Sequence, residues 1–390
     1  MRPIYIFILL CLVMPVLSGC WDKLELNDWA FVQAAGIDLA DDGRIRLTTQ
    51  IYKPGGTNAQ DMIPGKESSF FNMTSEGTTV FGASLLINNE LGRKIQWSHM
   101  EALLIGENFS RKRNIGEVLD FFSRSNEPKS SMSIIVTHGD ALTYLKDKPF
   151  VDNNIGQQLS SSIKTTEKQS GLSTTVTLTD LSIFAKQPSA TFVIPFVYSA
   201  AESTLPPSNT TAIFSFPEGK LLKIVPHSKT PYLLMLMNKY QSGMITTPCS
   251  DSKNSPKQND AFRIDKLETK ISHHIKDNSL LLHVNVTVSG SVMELTCSPL
   301  GTEQEINHFT DQIENKLKKQ LADTMNYIMA EKADVIGAGT YLHRYHNKRW
   351  KSWETTWNDR FSKSAFTIEA HVQLTHTGID TGRPFTNAGK

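Results

Sequence analysis

What this chain lacks narrows the reading before anything it contains. There is no excess charge of either sign: Lys+Arg 40 against Asp+Glu 39 leaves a formal +1 over 390 residues, so no net field points to nucleic acid. There is no run long enough to cross a bilayer. Ile4 to Leu17 is uncharged but only about 14 residues, short of the ~20 a spanning helix needs. The nearest other stretch, Tyr232 to Met237, is flanked by Pro231 and Asn238. Cysteine is scarce, four in all, and two of them, Cys11 and Cys20, belong to the N-terminal segment.

Catalytic constellations are missing as well. Ser161-x-x-Lys164 has the spacing of a serine-lysine pair, but no Lys-Thr-Gly follows and Lys229-Thr230-Pro231 is the nearest. A calcium loop begun at Asp38 fails at Ala40 and Thr49, where a carboxylate or amide and a bidentate Glu are required. Gly337-Ala338-Gly339 lacks the third glycine of a dinucleotide fingerprint and the Gly-Lys-Ser/Thr of a P-loop, and reads as a tight turn between helices. The histidines His273, His274, His283, His343, His346, His371 and His376 have no nearby Cys and no zinc-protease Glu. We expect no metal, no cofactor and no active site.

What is present starts at the N-terminus. Arg2 precedes the apolar run, which closes on Leu17-Ser18-Gly19-Cys20. Its length fits the core of a secretory signal. Small residues at Ser18 and Gly19 let the extended backbone enter a peptidase cleft, and Cys20 follows as the acceptor of a diacylglyceryl group. The expectation is a signal peptide over 1–19 and a mature chain tethered by Cys20 to the outer face of a membrane, since two or more acyl chains hold firmly. An ordinary cleaved signal, an uncleaved anchor and a buried helix are the alternatives.

The mature chain, about 370 residues, is long enough for two or three domains. Trp29 to Gly36 reads as a buried strand and Arg44 to Tyr52 alternates with period two across an Asp-Gly turn, a hairpin signal. Pro54 to Ser69 reads as a loop. Thr79 to Leu91, Asn114 to Ser123 and Gly139 to Lys146 have helical spacing, with strands at Ala102 to Gly106 and Met132 to Thr137 between them. Gln157 to Leu178 turns polar and Ser/Thr-rich. After a strand at Thr191 to Tyr198, Ser199 to Thr210 reads as a linker. A hairpin at Thr211 to Val225 and a helix opened by Pro231 follow.

The last third is the clearest. Phe262 to Lys276 and Leu280 to Leu295 form a strand pair turning at Asp277-Asn278, and Thr302-x-x-Glu305 is a capping box opening a long helix. Trp350, Trp353, Trp357 and Phe361 fall on one face of a helix from about Lys348 to Ser362, read as core. A strand at Ala365 to Thr377 closes the domain. In this hairpin Cys297 lies opposite about residue 258, near Cys249 but not at it, so one disulfide and two separate thiols both remain open. The fold class expected is α+β or mixed α/β in about three lobes, the C-terminal one an antiparallel sheet covered by long helices. The boundaries are 20–200 for an N-terminal α/β domain, 201–258 for a small middle unit and 259–390 for a C-terminal α+β domain.

Gly19-Cys20-Trp21-Asp22-Lys23-Leu24-Glu25-Leu26-Asn27-Asp28, Ser98-His99 before an apolar strand, and Ala333-Asp334-Val335-Ile336-Gly337-Ala338-Gly339 followed by Trp350-Lys351 and Trp357 resemble the C-subunit lipoproteins of spore germinant receptors, the Ger(x)C family. The resemblance runs over nearly the whole mature chain. It implies a nutrient-receptor component on the inner membrane of dormant spores, paired with two polytopic membrane subunits, with mixed α/β lobes and no enzyme's active site. Cys20 alone carries over with a defined role, that of lipid acceptor. One departure is Arg349, where the family usually has a proline before the C-terminal Trp-Lys. Contact of this subunit with the small-molecule germinant stays open. The alternative function is a solute-binding lipoprotein of a transport system, which requires two similar lobes around a cleft. An extracytoplasmic hydrolase is the third.

Overall fold

The computed structural model describes residues 5, 28–53, 69–189, 191–199, 209–216, 218–249, 258–378 and 384. The expected signal peptide, Cys20, most of the 54–69 loop and most of the 199–210 linker lie outside these residues.

Nine strands make the first sheet: β1 (Trp29–Leu39), β2 (Ile45–Tyr52), β3 (Phe70–Gly77), β4 (Lys94–Gln96), β5 (Ala102–Gly106), β6 (Ser133–Thr137), β7 (Thr191–Val197), β8 (Asn209–Ser215) and β9 (Lys220–Ile224). Their order is β3-β2-β1-β5-β6-β7-β8-β9, with β4 beside the start of β1. The central strands β1, β5, β6 and β7 run parallel, and the flanks are antiparallel. The crossover helices are α1 (Val80–Leu91), α2 (Glu107–Lys112), α3 (Gly116–Arg124), α4 (Ala141–Lys146), α5 (Ile155–Gln169) and α6 (Leu178–Phe184).

The continuous apolar runs of β5 and β6 make sense because this sheet is covered on both faces. Leu103 and Ile105 pack with Val80 and Ile87 of α1, Phe109 of α2 and Phe122 of α3. Ala102 and Leu104 face Tyr144 and Leu145 of α4 and Ile155 and Ile163 of α5. Two-residue periodicity thus sorts one strand between two cores.

Helix α5 occupies the stretch expected to be merely polar. The Asn154 side chain caps it, accepting from Gln157 N at 2.8 Å, and Gly156 lets it lie close on β1, where an added Cβ would come within 2.8 Å of Ala34 Cβ. Tertiary packing through Ile155 and Ile163 overrides the weak local propensity of its serines and threonines.

The second sheet is β10 (Gly243–Pro248), β11 (Asn259–Lys276), β12 (Ser279–Glu294) and β13 (Ala365–His376) in that order. Asp277 and Asn278 both take positive φ, 48° and 60°, the geometry a two-residue hairpin turn demands. After α7 (Thr230–Leu236), the helices α8 (Glu303–Ala330), α9 (Ala338–Tyr345), α10 (Asn347–Trp353) and α11 (Trp357–Ser362) cover one face. Val284, Val286 and Val288 pack there with Phe309, Ile313, Leu317, Leu321 and Met325 of α8. Each such buried side chain contributes roughly 1.5–3 kcal/mol of transfer free energy. The capping box forms as expected, Glu305 N donating to Thr302 Oγ1 at 3.3 Å and Thr302 N to Glu305 Oε2 at 2.9 Å.

Three differences from the sequence reading stand out. Strand β13 runs parallel to β12, so the antiparallel expectation holds for β10, β11 and β12; a parallel return needs a long crossover, which α8 to α11 supply. The aromatic helix is split by a 3₁₀ turn at Glu354–Thr356, although Trp350, Trp353, Trp357 and Phe361 are all buried. The stretch 201–258, expected as a small unit of its own, gives β8 and β9 to the first sheet and β10 to the second. Val193 and Ile213 of the first sheet share one core with Leu233 of α7 and Phe262 of β11.

Candidate functional site

The glycine-rich turn Asp334 to Gly339 is built around a buried carboxylate. Asp334 Oδ1 accepts from Ala338 N at 2.9 Å, and Oδ2 accepts from Gly339 N at 2.7 Å and Trp357 Nε1 at 3.0 Å. The carboxylate therefore caps α9 and pins a tryptophan at once. Burial raises its pKa, while the backbone and indole donors oppose that rise. Gly337 takes φ 77° to turn into the helix. At Gly339 an added Cβ would come within 2.7 Å of Trp357 Nε1 and 2.8 Å of Trp350 Cζ3. Both glycines are thus accounted for by a turn and by two indoles, and no phosphate cradle is needed.

A second node holds the other end of the aromatic cluster. Asn278 Oδ1, at the β11–β12 turn, accepts from Trp353 Nε1 at 3.2 Å and Arg349 Nη1 at 3.2 Å. The Arg349 and Arg360 guanidinium carbons lie 5.6 and 4.9 Å from the Trp353 ring centroid, within cation–π range. Arg349 therefore has a part of its own in fixing the turn.

Cys249 and Cys297 are joined as a disulfide with a Cα–Cα distance of 5.8 Å. β10 makes this possible: Pro248 pairs with Asn259, and Cys249 N donates to Gln258 O, which brings Cys249 to the residue Cys297 was expected to oppose. Asp260 stands beside the bridge and accepts from Thr296 N and Cys297 N at 2.6 and 3.0 Å. The two sulfurs and this carboxylate are close enough to hold an ion, but as a disulfide the sulfurs offer no thiolate to a metal.

At the carboxyl ends of the parallel strands, Asp38 is buried and accepts from Ala141 N at 2.7 Å and Leu142 N at 2.9 Å. It caps α4 from across the sheet. Burial pushes its carboxyl up to about 6, against the pull of those two donors. A cavity of about 400 Å³ opens nearby, lined by Tyr144, Ile155, Leu159, Tyr198 and Asn209 among others.

The other candidates disperse. Ser161 and Lys164 lie exposed on α5. Ser98 Oγ lies 3.2 Å from His99 Nδ1, and His99 packs edge-on to Phe31; no carboxylate is paired with that ring among the described residues. His343 meets Trp350 and His346 meets Tyr341, so the two do not converge on one point. His273 stacks on Tyr341 with ring centroids 3.9 Å apart, and burial lowers its pKa to about 4. His274 and His283 are neighbours at 4.9 Å, while His371 and His376 are exposed. The sequence points to Asp38 only as the start of a failed calcium loop and does not single out Asp260; an Asp that caps a helix some hundred residues on leaves no local signal.

Among the described residues no helix is long and apolar enough to cross a membrane. Two unlike sheets share one core, and the buried carboxylates Asp38, Asp260 and Asp334 bond to backbone N–H groups. That is the build of a scaffold whose polar interior serves its own architecture. The chain belongs to the spore germination Ger(x)C family: residues 22–198 match the family described as spore germination protein N-terminal domain, and residues 209–378 the one described as spore germination B3/GerAC like, C-terminal. It is 23% identical over 403 aligned residues to spore germination protein KC of Bacillus subtilis (strain 168), covering 97% of each chain. It is 22% identical to spore germination protein B3 of the same organism, covering 95% of this chain and 97% of that one. The crystal structure of the GerBC protein superposes with a TM-score of 0.57 at 18% identity, over 91% of this chain and 100% of that one.

Proposed function

We propose that this chain is the lipid-anchored subunit of a nutrient germinant receptor, acting in the spore's germination response by assembling with two polytopic membrane subunits. The observation that carries the reading is the family match along both halves, behind a Leu-Ser-Gly-Cys sequence at residues 17–20. Cys20 is the acceptor of the diacylglyceryl group, and the body stands on the outer face of the spore's inner membrane. It brings no chemistry of its own to the response; its work is binding and assembly.

Deletion of the gene, in a background lacking paralogues, is expected to abolish germination with at least one nutrient. Normal germination with every nutrient tested would defeat the proposal. Cross-linking in intact membranes, followed by identification of what is retrieved, is expected to yield two polytopic subunits. Cys20→Ala is expected to move the protein from the membrane fraction to the soluble one, and unchanged fractionation would refute the anchor.

The 400 Å³ cavity at the carboxyl ends of the parallel strands favours a second reading, capture of a small solute, because such ends are where open α/β sheets bind ligands. Against it, the sheets are unlike, nine-stranded and four-stranded, and do not form two similar lobes. Calorimetric titration of the mature chain with amino acids and sugars separates the readings; tight binding favours capture.

A further inference from the structure

No acidic residue occurs between Asp334 and Glu354, a stretch that holds Arg344, Lys348, Arg349 and Lys351. Helix α9 ends and α10 begins within it, and Arg344, Lys348 and Lys351 are exposed. None of these three makes an ion pair among the described residues, whereas Arg349 is engaged with Trp353 and Asn278. Tyr345 stands 62% exposed in their midst, and Lys276, also exposed, ends the neighbouring strand β11. The adjoining acids are Asp277 and Glu354. In a chain of net charge +1, this is a local concentration of unpaired cations around an exposed aromatic ring.

Its place in the fold gives that concentration a direction. Strands β1, β5, β6 and β7 are parallel and begin at one end of the first sheet, where the chain arrives at Trp29. Ser189, just before β7, hydrogen-bonds Thr340 of α9 through their hydroxyls at 2.8 Å, so α9 starts at that same end. Three inter-strand steps of ~4.8 Å separate β1 from β7, so the start of α9 lies on the side of the first sheet where β1 begins. The nine residues back from Trp29 to Cys20 span at most about 30 Å.

We propose that the face bearing Arg344, Lys348, Lys351 and Tyr345 rests on anionic phospholipid headgroups. This deepens the reading that Cys20 tethers the chain: a lipid anchor at one residue limits distance from the membrane, and a basic face on the anchored side sets orientation. Tyrosine suits the headgroup layer, having an apolar body and a polar tip, and each cation near an anionic surface strengthens binding about fivefold.

The test uses the chain from residue 20 with Cys20→Ser, so that no acyl chain contributes, in cosedimentation with phosphatidylcholine vesicles with and without phosphatidylglycerol. Binding is expected only with the anionic lipid, and is expected to vanish when salt rises from about 0.05 to 0.5 M. The triple variant Arg344→Gln/Lys348→Gln/Lys351→Gln is expected to bind on the order of a hundredfold more weakly. Lys112→Gln/Lys146→Gln/Lys148→Gln, an equal charge change on elements that follow the opposite ends of β5 and β6, is expected to bind like the parent. Thermal melts of both variants check folding. Absence of binding to anionic vesicles, equal binding to neutral ones, or a triple variant that folds and binds like the parent overturns the proposal. A face that meets only an acidic protein segment gives the first of these results. Acylation at Cys20 is read separately by mass spectrometry, so either idea can fail alone.

Discussion

The two sheets solve the same burial problem in opposite ways. The first is wide, built mostly of short strands and clothed on both faces, so most of its stability is spread over two ordinary apolar cores. The second has only four strands, three of them 12 residues or longer, and clothes only one face. Its other face is polar, with Lys266, Glu268 and Lys270 of β11 exposed beside Thr287 of β12 and Glu369 of β13. Beside its one apolar core the second sheet has polar and covalent ties gathered in few places: the indoles against Asp334 and Asn278, and the disulfide. The first should therefore tolerate single changes better than the second.

The largest expected effect tests that asymmetry. Trp357→Ala removes a buried indole and leaves Asp334 short of one donor; about 3–5 kcal/mol of unfolding free energy should be lost. Leu103→Ala, a full truncation in the first sheet, should cost about 2–5 kcal/mol and leave the second sheet's amide protection intact. Comparable loss of protection in both sheets for either variant would mean the two parts unfold as one.

Next is the bridge. Cys249→Ser opens a loop of sequence separation 48 and should lower stability by about 2–4 kcal/mol, read from denaturant midpoints with and without reductant. An unchanged midpoint in the parent on adding reductant would show that the bridge does not stabilise the fold.

The pH dependences come last, and they run in opposite senses. Asp38 carries a raised carboxyl pKa of about 6 in the folded chain against 3.8 otherwise. Its contribution is full below about pH 4 and is lost as pH rises through 6, on the order of 3 kcal/mol at most. His273 is lowered to about 4 from 6.5, so its contribution is present above pH 6.5 and lost as pH falls toward 4. Asp38→Asn should flatten the decline between pH 4 and 7, and His273→Phe should blunt acid destabilisation while keeping the ring on Tyr341. Parallel pH profiles for parent and variant would contradict each assignment.

What could be read from sequence tracks the same division. Local chemistry announces the second part: Asp277-Asn278 can turn a hairpin unaided, Thr302 with Glu305 can start a helix unaided, and four aromatics at helical spacing declare a buried face. The first part depends on partners far along the chain. β3 has a mixed polar sequence and earns its place only by pairing with β2. α5 is held by Ile155, Ile163 and the space at Gly156. Asp38 finds Ala141 and Leu142 more than a hundred residues away. β10, short and ended by Pro248, looks like loop until β11 pairs with it, and with it goes the clue that would have joined Cys249 to Cys297. The tight turn read at Gly337 to Gly339 is there, but the carboxylate of Asp334 that organises it had no signal of its own.

Intact-mass spectrometry of the protein extracted from spore membranes tests the central claim most directly. The expected species is a chain beginning at Cys20 whose mass exceeds that of the bare polypeptide by a diacylglyceryl group, on that residue and no other. A chain found in the soluble fraction with an unmodified Cys20 would contradict it.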